Sequence, residues 1–273
     1  MDRSMDSSGI RFGTVHLRVR DLPAQVAFYE DVFGFYLLAQ DGALATLGTY
    51  RRQPLLVLHG APGAPFREAG TTGLFHVAFR LPTRADLGAM ILRIHAHRKP
   101  IDGFADHHVS EAIYLTDPEG NGLEFYVDRP REVWRSINGG IFMNTEALDV
   151  AGLLTEAPGP APRLPSGTVV GHVHLRVASL AAAEAFYVGR LGLEVTNRAY
   201  PGAVFVAAEG YHHHVGLNVW GGEHAPRPEA GSVGLLSFGL VVPAGEERMR
   251  ILSGADEGTL VDPDLIEVRI AAR

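Results

Sequence analysis

Gly13-Thr14-Val15-His16-Leu17-Arg18-Val19 returns later in the chain as Gly171-His172-Val173-His174-Leu175-Arg176-Val177, an offset of 158 residues. The same offset carries Ala27-Phe28-Tyr29 onto Ala185-Phe186-Tyr187 and Gly34 onto Gly192. One offset held across an apolar strand, a helix and a terminating glycine marks an internal duplication. Val15, Leu17 and Val19 alternate with His16 and Arg18, the period of a strand with one buried face. Asp21 is positioned to cap a helix whose apolar stripe is Leu22, Val26, Tyr29 and Phe33, and Gly34 ends it. Short strands are predicted at 35–39, 43–48 and 55–59, so the unit is β-α-β-β-β.

The unit recurs inside the first half. A strand over 74–81 precedes the capping pair Thr83 and Asp86, then an inward helix face of Leu87, Met90, Ile91 and Ile94, closed at Pro100. Strands follow near 112–115 and 122–127. Two modules in the first half imply two more in the second. The predicted class is α+β, tandem β-α-β-β-β modules paired into two cupped sheets. The expected division is an N-terminal two-module domain, 11–134, with a metal site. A linker, 135–167, follows, rich in Pro and Gly over 157–167 and with a bridging helix within 145–157. A shortened C-terminal two-module domain, 168–273, is expected to lack a complete catalytic site.

Composition narrows the function. Apolar residues make up 46% and charged residues 20%, ordinary for a soluble protein with a packed core. A formal charge of −7 disfavours nucleic acid and anionic membrane partners. No apolar run approaches the roughly 20 residues of a membrane span. The polar N-terminus lacks a signal-peptide pattern, so a cytoplasmic location is expected. Without cysteine, disulfides, thiolate metal sites and cysteine nucleophiles are excluded. Thirteen histidines remain, the commonest transition-metal ligand.

Three polar residues sit inside apolar strands. His16 and His76 lie on the first strands of modules one and two, and Glu124 lies on the last strand of module two, between Leu123 and Phe125. A single strand histidine is ordinarily a core or surface residue, and a strand glutamate is ordinarily solvated. Burying that carboxylate unpaired is costly. Two imidazoles and a carboxylate satisfy one another by sharing a divalent metal, and a facial set with open positions suits non-haem Fe(II).

The patterns Gly-x-Val-His-Leu-x-Val, Asp-Leu-x(4)-Ala-Phe-Tyr, Gly-Leu-x-His-Val-Ala and Asp-Pro-x-Gly-Asn-Gly-x-Glu resemble the vicinal oxygen chelate superfamily of glyoxalases and extradiol dioxygenases. Within it they look like the two-domain, catechol 2,3-dioxygenase-like proteins. The resemblance runs from Gly13 over nearly the whole chain, and 109–124 is its most specific stretch. It implies a metal held by first-strand histidines and a last-strand glutamate, which fall on His16, His76 and Glu124, separated by 60 and 48 residues. It also implies an acid/base histidine at His107, with His108 as an adjacent rival, and a substrate-binding tyrosine at Tyr114. The implied activity is ring cleavage of a catechol-type aromatic diol by O2 at non-haem Fe(II), with Mn(II), Zn or Ni as alternative metals. Diol and O2 are the expected partners, and a homo-oligomer is left open.

The same fold hosts other metal enzymes, lyases and isomerases among them, and a non-catalytic small-molecule binder is a further alternative. A glyoxalase needs a fourth ligand, Glu or Gln, on the last strand of module one. The stretch Pro54-Leu55-Leu56-Val57-Leu58-His59 carries no carboxylate. In the second half, His174 matches His16, Ser237 stands where His76 does, and Glu267 is aligned with Glu124. That set suits Fe(II) poorly. His212 and His214, read as sharing a strand face, form an alternative metal set with His174 and Glu267; interface hydrogen bonding by His212, His213 and His214 is the plainer reading.

Overall fold

Strands pair across the two halves of the chain. The computed structural model describes residues 10–243, 251–253 and 258–272. Module one comprises β1 (Arg11–Val19), α1 (Leu22–Phe28) with a π-helical continuation (Tyr29–Phe33), β2 (Tyr36–Asp41), β3 (Leu44–Gly48) and β4 (Pro54–Gly60). Module two comprises β5 (Gly73–Arg80), α2 (Arg84–Ala96), β6 (Gly103–Asp106), β7 (Ser110–Thr116) and β8 (Gly122–Asp128). A small hairpin, β9 (Ser136–Ile137) and β10 (Gly140–Ile141), and the helix α3 (Val150–Glu156) lie in the linker. Module three comprises β11 (Val169–Arg176), α4 (Leu180–Glu184) with a π-helical continuation (Ala185–Arg190), β12 (Glu194–Asn197), β13 (Ala203–Ala207) and β14 (Val215–Asn218). Module four contributes β15 (Gly234–Val242), β16 (Thr259–Val261) and β17 (Glu267–Ala272) among the described residues.

Within each module the first strand lies beside the last, as in β5-β8-β7-β6, and its other edge is open. A row of unpaired N–H and C=O groups calls for another strand. β1 pairs antiparallel with β15, and β5 pairs antiparallel with β11. One seven-stranded sheet therefore unites modules one and four, and one eight-stranded sheet unites modules two and three. The α+β class of paired modules in two cupped sheets is as read from the sequence. The division into separate cups at 11–134 and 168–273 is not. A repeat specifies an open edge on every module, but not which of the equivalent edges closes it.

Local signals act as their chemistry requires. Asp21 Oδ1 accepts from the Ala24 N–H at 3.0 Å, and Thr83 Oγ1 accepts from the Asp86 N–H at 3.1 Å. Gly34 adopts φ +76°, and a Cβ there would meet Arg163 Cα at 2.7 Å, so glycine both ends the helix and admits the linker. Asp117 accepts from the N–H groups of Glu119 and Asn121, both at 2.9 Å, and from the Tyr29 hydroxyl at 3.1 Å. Asp262 repeats this with Asp264, Ile266 and Tyr187 at 2.8–2.9 Å. The Ala-Phe-Tyr repeat is thus tied to the Asp-Pro repeat, joining module one to two and three to four.

Side-chain alternation separates core from cup. Val77 and Phe79 of β5, Leu123 and Phe125 of β8, and Val173 and Leu175 of β11 are buried in the main core. Their alternates, His76, Glu124, His172 and His174, face the concave side of the eight-stranded sheet. The linker is fastened by Arg93 of α2, which donates to the carbonyls of Glu30, Asp31, Val32, Ala161 and Pro162 at 2.5–3.2 Å. Replacing Arg93 by Leu strands several of these carbonyls, and a loss of about 3 kcal/mol is expected in urea unfolding. A change below half a kcal/mol would mean that the linker is held by packing alone.

Candidate metal centre and active-site cavity

His76 on β5, Glu124 on β8 and His172 on β11 converge on one point, their ligand atoms all within 4.8 Å of one another. His76 Nε2 lies 2.9 Å and His172 Nε2 3.0 Å from the same oxygen, Glu124 Oε2. Three strand relationships bring this about. β5 runs parallel to β8, with Ala78 opposite Glu124, and antiparallel to β11, with His76 opposite His174 and His172 opposite Ala78. Gly122 permits the close approach of β8, since a Cβ there would lie 2.0 Å from the Phe75 carbonyl oxygen.

His76 Nε2 is buried and, despite its distance from Glu124, finds no aligned hydrogen-bond partner. Burial pushes the Glu124 carboxyl upward, but the facing His172 and His76 imidazoles overcome this and hold it well below the usual range. Burial also lowers His172 to about 4, with Glu124 opposing and His76 and His212 adding. The result is a dry carboxylate between imidazole nitrogens, at least one of them unsatisfied. Two nitrogens and a carboxylate oxygen are the donor set of a divalent transition metal, and the residues fit one.

His76 and Glu124 of the cluster line a cavity of about 360 Å³, with His172 behind them. His107, Tyr114, His174 and His213 also line it, against Phe75, Phe205 and Trp220. His107 Nδ1 lies 2.9 Å from the Asn144 carbonyl and must donate to it, so its Nε2 accepts from the Tyr114 hydroxyl at 2.7 Å. Burial, then nearby Glu124, raises the Tyr114 pKa well above its ordinary value. His108 turns away at φ +67° and bonds Glu146 at 2.9 Å. Its neighbour His107 is the one in the cavity.

His213, read from the sequence only as an interface hydrogen-bonding residue, lines the cavity, and its ring centroid lies 4.0 Å from that of His172. Its Nδ1 is 2.8 Å from His212 Nδ1, and His212 Nε2 is 2.8 Å from Asp128 Oδ1. Burial raises Asp128, but the hydrogen bond from His212 and the charge of Arg80 lower it overall, so it is ionised and accepts. With His212 neutral, its Nε2 carries the proton, its Nδ1 accepts, and His213 Nδ1 donates. His213 is left with a lone pair on Nε2.

The family model described as the glyoxalase/bleomycin resistance protein/dioxygenase superfamily matches residues 11–125. The catechol-2,3-dioxygenase of Bacillus subtilis (strain 168) is 43% identical over 86% of this chain and 84% of its own length. The chain belongs to this superfamily. Within it, the sequence lies with the extradiol dioxygenases. A second relative, biphenyl-2,3-diol 1,2-dioxygenase 3 of Rhodococcus globerulus, is 33% identical over 41% of this chain and 60% of its own length. Glyoxalase I from Zea mays shares the fold at 16% identity, with a TM-score of 0.57 over 96% of this chain and 92% of that one.

The superfamily's repeat has a second cup, and there the expectation for His16 is corrected. His16 belongs to the other sheet, with Nδ1 2.9 Å from His59 Nε2 and Nε2 3.0 Å from Thr14 Oγ1. β1 pairs His16 with Ser237 as β11 pairs His174 with His76, and Gly239 faces Arg269 as Ala78 faces Glu124. The counterparts of His172, His76 and Glu124 are therefore Thr14, Ser237 and Arg269. Glu267 lies two residues from the equivalent position. Arg269 offers no ligating atom and pairs with Glu267 at 3.2 Å, and burial, Arg269 and His59 lower His16 to about 4. The alternative set of His174, His212, His214 and Glu267 is not assembled, because Glu267 stands on the seven-stranded sheet.

Metal-free protein is expected to be acid-sensitive. Burial lowers His172 to about 4 and His214 to about 3, and takes His174 and His213 well below their ordinary value. Unfolded, these groups take up protons near pH 6.5, so the unfolded state binds more protons between the two values and stability falls as pH drops through that window. Each contributes about 1.4 kcal/mol per pH unit. Denaturant titrations of chelator-treated protein from pH 7.5 to 5 should show the decline; a flat profile would contradict neutral buried imidazoles.

Proposed function

We propose that the chain cleaves catechol-type diols with O2, using Fe(II) held by His76, Glu124 and His172. The single observation carrying this reading is the pair of buried imidazoles sharing one oxygen of Glu124, which with His76 lines an aromatic-walled cavity. Held by His76, Glu124 and His172, Fe(II) would supply Lewis acidity toward the diol and the redox capacity that lets O2 react with it.

The chain's own groups handle protons and orientation. His213, kept neutral by burial and tautomerically fixed by His212 and Asp128, offers Nε2 to accept a hydroxyl proton from the diol. Asp128 and His212 hold that imidazole in place, so they are positioning residues. Tyr114 keeps its proton and directs it to His107 in the resting site; turned to the diol, it donates to a developing oxyanion. His107 Nε2, lowered by burial, can take that proton or return it. Phe75 and Phe205 exclude water and stack the ring. Phe125 is packed in the core on the far face of β8, and Tyr126 bonds Tyr211 at 2.8 Å.

Fe(II)-loaded protein given catechol is expected to consume O2 and release a yellow ring-opened semialdehyde. Loss of metal without loss of turnover, or full metal loading with no O2 uptake on any diol, would overturn the reading. Tyr114→Phe and His213→Gln are each expected to lower kcat by about 100-fold. Both should keep the metal, which separates proton handling from ligation in a joint assay of iron content and rate.

A further inference from the structure

We infer that the cavity selects catechols bearing an uncharged, apolar substituent and rejects those bearing a carboxylate; this rests on the dioxygenase reading. Its volume of about 360 Å³ lies in the range that encloses drug-sized ligands, so it holds more than an unsubstituted ring. Besides the metal ligands, the His107–Tyr114 pair, His174 and His213, the wall carries the hydroxyls of Ser110, Thr145 and Tyr200, and the rest is aromatic or aliphatic. Val109, Met143 and Phe205 pack with Ala203 into one buried cluster, and Phe75 meets Trp220 edge to face at 5.4 Å.

Charge decides the class. Among the described residues lining the cavity there is no Lys or Arg, and the carboxylate of Glu124 is the charged group. Nearby guanidinium groups are committed elsewhere. Arg176 lies over the Phe75 ring at 4.8 Å and donates to the Leu74 carbonyl, and Arg129 is held by Asp106 at 2.6 Å. The Thr145 and Tyr200 hydroxyls on the wall are 3.3 Å apart and bond one another. A substituent carboxylate would enter with no Lys or Arg on the wall to pair it and would lose its hydration. An alkyl or aryl substituent would gain contact with the apolar wall.

The free acid of 3,4-dihydroxyphenylacetate and its methyl ester separate charge from shape. Binding to the Fe(II)-loaded, anaerobic protein can be read from tryptophan fluorescence, since Trp220 lines the cavity. The ester and 4-ethylcatechol are expected to bind, and the acid to bind about 100-fold more weakly. Phe104→Arg, at the exposed rim, is expected to recover about tenfold for the acid and to leave the ester unchanged. Acid and ester within threefold of each other, or no binding by either neutral ligand, would overturn the inference. O2 uptake is scored separately: binding selectivity without turnover would sink the dioxygenase reading and keep the selectivity, whereas turnover of acid and ester alike would do the reverse.

Discussion

The antiparallel pairing of β5 with β11 is the constraint on which the rest of the structure depends. Each first strand presents an unpaired edge, and closing two such edges on one another sets His76 opposite His174 and draws His172 to the same carboxylate oxygen. The candidate metal centre therefore belongs to neither half of the chain. Its third member comes from across the linker, so folding of both halves precedes any complete site. Arg93 and the Tyr–Asp bonds hold the modules in the arrangement that permits this pairing.

Duplication has left two cups with different donor sets. In one, a buried carboxylate stands among buried imidazoles, a donor set that suits a cation. In the other, the equivalent positions hold Arg269, paired with Glu267 at 3.2 Å, Thr14 and Ser237, a set without the imidazole and carboxylate ligands. The same backbone geometry serves both, so the difference lies in three side chains. What the second cup retains is architectural: its β1–β15 pairing closes the remaining open edges.

Much of this was legible in the residues. Alternation along β1, β5 and β8, the caps at Asp21 and Thr83, and the stop at Gly34 are local effects, so sequence carries them directly. His76 and Glu124 were visible as polar residues in apolar strands. The His16 reading failed for two physical reasons. Edge-to-edge pairing between modules is non-local, and a repeat cannot say which edges meet. The duplicated Gly-x-Val-His pattern also drew attention to His16 and His174, whereas His172 occupies the variable position two residues earlier, on the same strand face. The signal was present: module three carries two histidines on that face where module one carries Thr14 and His16. His213 was hidden by treating 211–214 as a regular strand, although β14 begins only at Val215.

Iron content after Fe(II) loading and desalting, compared between His172→Ala and His16→Ala, tests the cross-half site most directly. Retention of iron by His16→Ala at the wild-type level, with its loss from a folded His172→Ala, is the expected result. Iron lost from a folded His16→Ala and retained by His172→Ala would contradict the account.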